Sequence, residues 1–418
     1  MPLITTASRL PESPARGIIE RDRALALPGL TRWLRLLLRL AGHMETGCVL
    51  LTLPGGPTIA LRGHAPGPHA EIMVRNRRFA RRVLTGGGLG FAESFIDGDW
   101  DSPDLVALLG LVNRNEALLQ RMLDGKPWVR LLARLGHVLN RNDRAGSRRN
   151  IARHYDLGNA FYGAWLDETM TYSAAVFSAG TDLASAQRAK YDLIAGKLAL
   201  RPDDRLLEIG CGWGGFAEHA ARHHGARVTA ITISPAQYDH ARRRIFEAGL
   251  TERAEIRLQD YRDLDGRFDK IASIEMFEAV GEAYWPVYFQ RLADLLTPGG
   301  RAALQVITID ERHFPRYRRG VDFIQKHVFP GGMLPSPTAF RQEAARAGLV
   351  PFAETRHGAD YARTLGLWRH RFEAAFDSIR PLGFDEDFRR LWHYYLAYCE
   401  AGFATESIDV AQIGLRHG

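Results

Sequence analysis

Between about residues 183 and 309, short apolar runs alternate with longer segments whose apolar residues recur every three or four positions. The runs Leu206-Leu-Glu-Ile209, Val228–Ile233, Ile256-Arg-Leu258, Lys270–Ile274 and Ala302–Ile309 read as strands. The stretches Ser185–Leu200, Phe216–Arg222 and Tyr284–Leu296 read as helices, as does one opened by Ser234-Pro235, a serine cap with proline in the first turn. Such alternation predicts a parallel sheet with helices on both faces.

The N-terminal part is patterned differently. Residues 1–29 hold turn formers and mixed charge and read as extended or loosely ordered. Two apolar strands flank Pro54-Gly-Gly56 as a hairpin between Gly47 and Gly63, and His69–Arg75 reads as a third strand. Phe79–Leu84 reads as a helix stopped by Gly86-Gly-Gly88, and another helix is expected near Asp104–Arg121. These elements predict a small α+β domain over residues 1–140, a polar linker (Asn140–Arg149) to about residue 150, and an α/β domain over 151–418.

Composition narrows this little: 418 residues, 46% hydrophobic and 25% charged, are ordinary for a globular protein. No apolar run is long enough to span a bilayer, and the N-terminus lacks the basic start and apolar middle of a secretory signal. Cys48, Cys211 and Cys399 are far apart and match no zinc or disulfide spacing, so no metal is expected and a reducing cytoplasm is the simple reading. The net charge of +7 suggests attraction to a polyanion, either nucleic acid or anionic phospholipid. In Leu30–Leu40, Arg32, Arg35 and Arg39 share one helical face beside Trp33 and leucines. That suits a helix lying among lipid headgroups and equally a core helix with its arginines in water. Lys126–Leu135 reads as a second basic, apolar helix.

The chemistry gathers where the first α/β strand ends. Gly210, Gly212, Gly214 and Gly215 follow it and precede a helix, which lets a ligand approach bare backbone. Gly210, Gly212 and Gly215 fit the dinucleotide pattern; Gly210, Gly212 and Gly214, with Glu208 two places earlier, fit the turn of S-adenosylmethionine-dependent methyltransferases. A nicotinamide site wants a carboxylate at the end of the next strand. Here that strand ends in Thr232 and Ser234, which favours the methyltransferase. Glycines used only for close packing are the bland alternative.

Further motifs carry a resemblance. Tyr155-Asp-Leu-Gly-Asn159, Met170-Thr-Tyr-Ser173, Glu208–Gly215, Gln259-Asp-Tyr-Arg-Asp263, Met276-Phe-Glu-Ala-Val-Gly281, Gly358-Ala-Asp-Tyr361, Tyr394-Tyr-Leu396 and Cys399-Glu-Ala-Gly-Phe403 occur in order. Over about residues 85–415 the chain resembles the cyclopropane-fatty-acyl-phospholipid synthases. The resemblance implies a Rossmann-like class I S-adenosylmethionine-dependent methyltransferase domain behind the smaller α+β domain. Its implied reaction carries a methyl group to the cis double bond of an unsaturated phospholipid acyl chain. Ring closure to a cyclopropane fatty acid is the leading product, and a methyl-branched or methylene chain is the alternative. The resemblance also implies a peripheral enzyme at the cytoplasmic face of an anionic inner membrane, and a homodimer is plausible. A nucleic-acid methyltransferase should show Asn-Pro-Pro-Tyr or Pro-Cys after a strand, and neither occurs.

Carried over by position, the cofactor would lie on Gly210, Gly212 and Gly214 above Glu208, with Tyr172 and Ser173 closing over it. Thr232 and Gln237 would reach the ribose, and Gln259 or Asp260 the adenine; a strand-end hydroxyl and a solvated loop are the bland readings. A bound bicarbonate would remove the proton after methyl transfer, held by Glu278, Tyr361 and the Ile307 N–H. The chain departs from the family by carrying Ala174 in place of cysteine and Gln305 in place of histidine. A backbone N–H at 174 survives that change, but a glutamine takes no proton near neutral pH. Cys399 falls at a position often labelled catalytic, although direct transfer of methyl to carbon needs no thiol, and a buried apolar cysteine is the better physical reading. Glu275 would share a helical face with Glu278 and raise one carboxyl pKa, or, as the leading expectation, pair with an arginine.

Overall fold

The computed structural model describes residues 17–115 and 157–418. The basic segment Lys126–Leu135, the linker at 140–149 and Tyr155 lie outside the described residues. Two compact units emerge: one holds the described part of Met1–Leu132 together with Phe384–Thr405, the other the described part of Ala133–Gly383 with Glu406–Gly418.

In the first unit five strands form one sheet: β1 (Ile18–Glu20), β2 (Thr46–Thr52), β3 (Thr58–Arg62), β4 (Ala65–Val74) and β5 (Trp100–Asp101), in the order β1-β3-β2-β4-β5. The hairpin is there, with Leu50 opposite Ala60 across β2 and β3. Helix α1 (Arg32–Ala41) buries Leu38 and Ala41 and leaves Arg32, Leu36 and Arg39 exposed. Helix α2 (Phe79–Ile96) consists of two helical segments joined at Gly87, within the glycine run where the first was expected to stop. Gly87, at φ 58° and ψ −137°, is outside helical geometry, and the segment after it is held by Phe91 and Phe95, which pack on buried Trp100 with ring centroids 4.3 and 5.0 Å away. Helix α3 (Leu105–Arg114) is capped by the Asp104 carboxylate, which accepts from the Ala107 N–H. Chain order would leave Glu386–Ala404 with the second segment, but this helix packs on α2 and α3. Its Arg390 donates to the carbonyls of Phe95 (2.7 Å) and Trp100 (2.9 Å).

The second unit is the expected α/β domain. Its elements run α4 (Leu183–Leu198), β6 (Arg205–Ile209), α5 (Gly215–His224), β7 (Arg227–Thr232), α6 (Pro235–Glu247), β8 (Ala254–Leu258), β9 (Phe268–Ile274), α7 (Trp285–Leu295), β10 (Leu296–Ile309), β11 (Leu349–Arg356), α8 (Gly358–Ile379) and β12 (Ile408–His417). The sheet order is β11-β12-β10-β9-β6-β7-β8. Strands β6 to β10 are mutually parallel, and β12 and β11 close one edge antiparallel. Alternate residues feed two apolar layers: Leu207, Leu304 and Val306 join Phe277, Phe289 and Phe340 in one, while Leu206 and Ala303 join Ile194, Phe216 and Ile245 in the other. The chain runs outward from β6 to β8, then crosses back to β9. The order therefore reverses between β6 and β9, the position beyond whose strand ends open α/β sheets bind their ligands.

Candidate active site

The segments after β6 and β9 meet at that reversal. After β6 the chain turns at once: the Gly210 and Cys211 N–H groups both donate to the Ile231 carbonyl, at 3.0 and 2.9 Å. Gly212 and Gly214 have φ of 51° and 83°, the left-handed region that penalises a side chain. A Cβ at Gly212 would meet open space, whereas one at Gly214 would lie 3.0 Å from the Ala241 Cβ. Helix α5 starts at Gly215, directly after the turn, with no side chain capping its first turn. Beneath the turn Glu208 is buried and its Oε2 has no hydrogen-bond partner. Burial pushes its pKa up to about 8 against the pull of Lys190. An open glycine turn above an orphaned buried carboxylate oxygen fits a bound cationic donor.

The other cofactor candidates are arranged as follows. The Thr232 hydroxyl donates to the Gln237 side-chain carbonyl (2.9 Å) and accepts from the Ser234 N–H. Gln259 donates to the Asp263 carbonyl, and buried Asp260 is held by the Arg262 guanidinium, at 2.9 and 2.6 Å. The Tyr172 ring lies in an aromatic cluster with Tyr162, Trp165 and Trp368. Ser173 accepts from Lys190 through its hydroxyl (2.6 Å) and from Gln187 through its carbonyl.

Two carboxylates sit at the end of β9. Glu275 follows the last strand residue at φ 50°, a left-handed conformation that costs roughly 1–2 kcal/mol for a residue with a side chain. Its Oε1 accepts from the Ala174 N–H (2.8 Å) and the Gln305 amide (2.7 Å), and its Oε2 from the Tyr361 hydroxyl (2.6 Å). The expected arginine partner is not what holds it, and no helix links it to Glu278: the backbone leaves the strand in a left-handed step and enters a short 3₁₀ turn, Phe277–Ala279. Glu278 Oε1 accepts from the Ile307 N–H, and its Oε2 is buried without a partner. Burial first, then the charge of Glu275, pushes the Glu278 pKa up to about 8. Burial also raises Glu275, opposed by its three hydrogen bonds and by Lys190.

The residues that the resemblance assigned to bicarbonate therefore come together, but around a carboxylate of the chain. Ala174, Gln305 and Tyr361 donate to Glu275, and Ile307 donates to Glu278. No donor of that set is left over, and a further anion would meet two carboxyl groups. Bicarbonate does not fit here. Cys399 is half-buried on the helix Glu386–Ala404 of the first unit, whereas every other candidate lies in the second.

Sequence reasoning missed two residues. Lys190 is fully buried, donates to Ser173 and lies 4.6 Å from the Tyr191 ring centroid; burial lowers its pKa to about 8. Its signal was legible, since it interrupts the apolar stripe Leu183, Ala186, Ile194 and Leu198 of α4. Gln412, on β12, donates to the Gln305 side-chain carbonyl (3.0 Å), which turns the Gln305 amide group toward Glu275. Nothing in its local sequence marks it.

Fold and site together define an S-adenosylmethionine-dependent methyltransferase of class I, and the dinucleotide reading of the turn is set aside. Residues 142–413 match the family described as mycolic acid cyclopropane synthetase, and the chain belongs to that family. It is 40% identical to the tuberculostearic acid methyltransferase UfaA1 of Mycobacterium tuberculosis, over 90% of this chain and 89% of that protein. It is 36% identical to the cyclopropane-fatty-acyl-phospholipid synthase of Escherichia coli K12, over 86% and 90% respectively. The crystal structure of mycolic acid cyclopropane synthase CmaA1 complexed with SAH and CTAB is similar with a TM-score of 0.60 at 31% identity, covering 64% of this chain and 97% of that one. Among the described residues, no helix is long and apolar enough to cross a membrane.

Proposed function

We propose that the protein methylates the cis double bond of an unsaturated acyl chain in membrane phospholipid and closes a cyclopropane ring. The observation that carries this reading is the buried group of Glu275, Glu278, Tyr361 and Gln305 beside the glycine turn. Methylation of an amine or hydroxyl leaves a product that sheds its proton to water. Methylation of an alkene leaves a carbocation, which needs a dry site and a base held within it. S-adenosylmethionine, when bound, supplies an electrophilic methyl group on a sulfonium. The chain's part is to hold that donor at the glycine turn, to exclude water with Tyr162, Trp165, Tyr172 and Trp368, and to take up one proton.

A second reading, a methyl-branched or methylene chain without a ring, is favoured by the 40% identity to a relative named as a methyltransferase, against 36% to one named as a cyclopropane synthase. Attachment to an anionic cytoplasmic membrane surface through the exposed arginines of α1, and self-association, complete the proposal. Lipids from cells with and without the protein, separated by mass and assigned by NMR, test it. Ring protons support the first reading and an olefinic methylene group the second; unaltered lipids overturn both. Vesicle binding that ignores salt and deletion of residues 1–40 would remove the membrane part.

A further inference from the structure

We propose that Glu275 is the catalytic base of this enzyme, a carboxylate built into the chain and seated where the family resemblance puts bicarbonate. The proposal rests on alkene methylation as the reaction.

The donor set comes first. A loop (Ala174), a sheet strand (Gln305) and helix α8 (Tyr361) each aim one donor at the same carboxylate, at 2.6–2.8 Å. Convergence from three separate elements is how a protein holds a resident anion. The amide of Gln305 is itself fixed by Gln412, and the Glu275 N–H donates to the Gln305 carbonyl at 2.8 Å. The backbone is the second observation. Glu275 keeps a left-handed φ that a glycine would adopt without strain, and such strain persists where the surrounding structure over-determines it, commonly at a working site.

Elimination of the neighbours is the third. Ala174 offers only its backbone, Gln305 takes no proton, and the Tyr361 phenol already donates. Of the two carboxyl groups, Glu278 has only backbone N–H donors, from Ile307 and its own residue, and an unpartnered oxygen, whereas Glu275 has three donors from separate elements and the Lys190 charge in its favour. Glu278 therefore keeps its proton and Glu275 is the one that ionises.

The alkene π pair forms the bond to the incoming methyl carbon as the carbon–sulfur bond breaks, its electrons staying on sulfur. The neighbouring alkene carbon becomes cationic. One C–H bond of the new methyl group then breaks. The proton goes to Glu275, and the electron pair closes the ring or, after a hydride shift, forms the methylene double bond. The proton passes to solvent as product leaves.

The test uses the full chain with unsaturated phospholipid vesicles and radiolabelled methyl donor, in buffer stripped of carbon dioxide and again with added bicarbonate. Wild-type enzyme should run at the same rate in both. E275Q should lose about 10²-fold or more in kcat, while calorimetry shows donor binding unchanged. E275G, which relieves the left-handed strain and empties the seat, should lose as much and regain part of it with bicarbonate. NMR should show ¹³C-bicarbonate binding to E275G and not to wild type. A wild-type rate that falls without bicarbonate and returns with it overturns the assignment, as does wild-type kcat in E275Q. Absence of any methyl transfer to lipid by wild type overturns the alkene-methylation reading instead, and the base assignment with it.

Discussion

Replacing Gly212 with alanine separates cofactor binding from folding. A Cβ at this position meets no protein atom within 4 Å, so the folding penalty is that of φ 51° alone. A left-handed alanine costs roughly 1–2 kcal/mol, offset by the ~0.4–1 kcal/mol that alanine recovers by restricting the unfolded chain. A net loss of about 1 kcal/mol lowers Tm by roughly 2–4 °C for a unit of this size. If the donor lies on the turn, the same methyl group intrudes on it. Overpacking of about 1–3 kcal/mol then weakens binding roughly 5- to 150-fold. Gly214→Ala is the control, because its Cβ would press on the Ala241 side chain at 3.0 Å and backbone at 3.3 Å. It should destabilise more than Gly212→Ala, by a further ~1–3 kcal/mol. Calorimetric titration with S-adenosylhomocysteine and thermal unfolding, run on the same samples, measure both quantities. Wild-type affinity in Gly212→Ala, or a lower Tm than Gly214→Ala, would refute the reasoning.

Three further outcomes are expected. Tyr361→Phe removes a donor to the buried Glu275 carboxylate, a charged hydrogen bond of about 1.5–3 kcal/mol. The carboxyl pKa should climb by ~1–2 units, so the acid limb of the kcat–pH profile moves upward; an unmoved limb counts against the bond. Glu278 holds its proton up to about pH 8 when folded but only to its ordinary 4.5 when unfolded. The folded state binds the extra proton between those values, so its contribution to stability falls as pH rises from 4.5 to 8 and is constant above. Urea midpoints should show that slope reduced in Glu278→Gln, and an unchanged slope would contradict it. Phe277→Ala, in a core of Trp285, Tyr288, Phe289 and Phe340 with ring centroids 5.1–5.6 Å away, should lose about 3–5 kcal/mol by urea denaturation. A loss under 1 kcal/mol would mean the core collapses around the gap.

Local patterns carried much of the α/β unit. The strands and helices around Gly210–Gly215 are marked by periodicity, caps and glycines, all of which act within a few residues. What eluded the sequence depends on long-range placement. The helix breaks at Gly87 as its glycines indicate, but the second helical segment, held by Phe91 and Phe95 on Trp100, was not foreseen. Glu275 was assigned an arginine on general grounds, since three-residue spacing is informative only on a helix and this backbone turns left-handed instead. The donors at Ala174, Gln305 and Tyr361 are separated in the chain by up to 187 positions, so their convergence on one carboxylate is a property of the sheet and not of any motif. The departures at Ala174 and Gln305 were visible; what compensates for them was not.

The placement of Glu386–Ala404 bears on how the chain comes to be folded during synthesis. The Arg390 that closes the Phe95 carbonyl emerges 295 residues after it, and β12, which lies between β10 and β11, is made after both of its neighbours. At about 5–20 residues per second, α2 and α3 wait roughly 15–60 s for the helix that packs on them. Translation therefore cannot finish one half before beginning the other. A ribosome stalled before Glu386 leaves each unit without a segment that packs on it, which makes the nascent chain a client for holding chaperones and makes loss of residues 386–417 a lesion of both units.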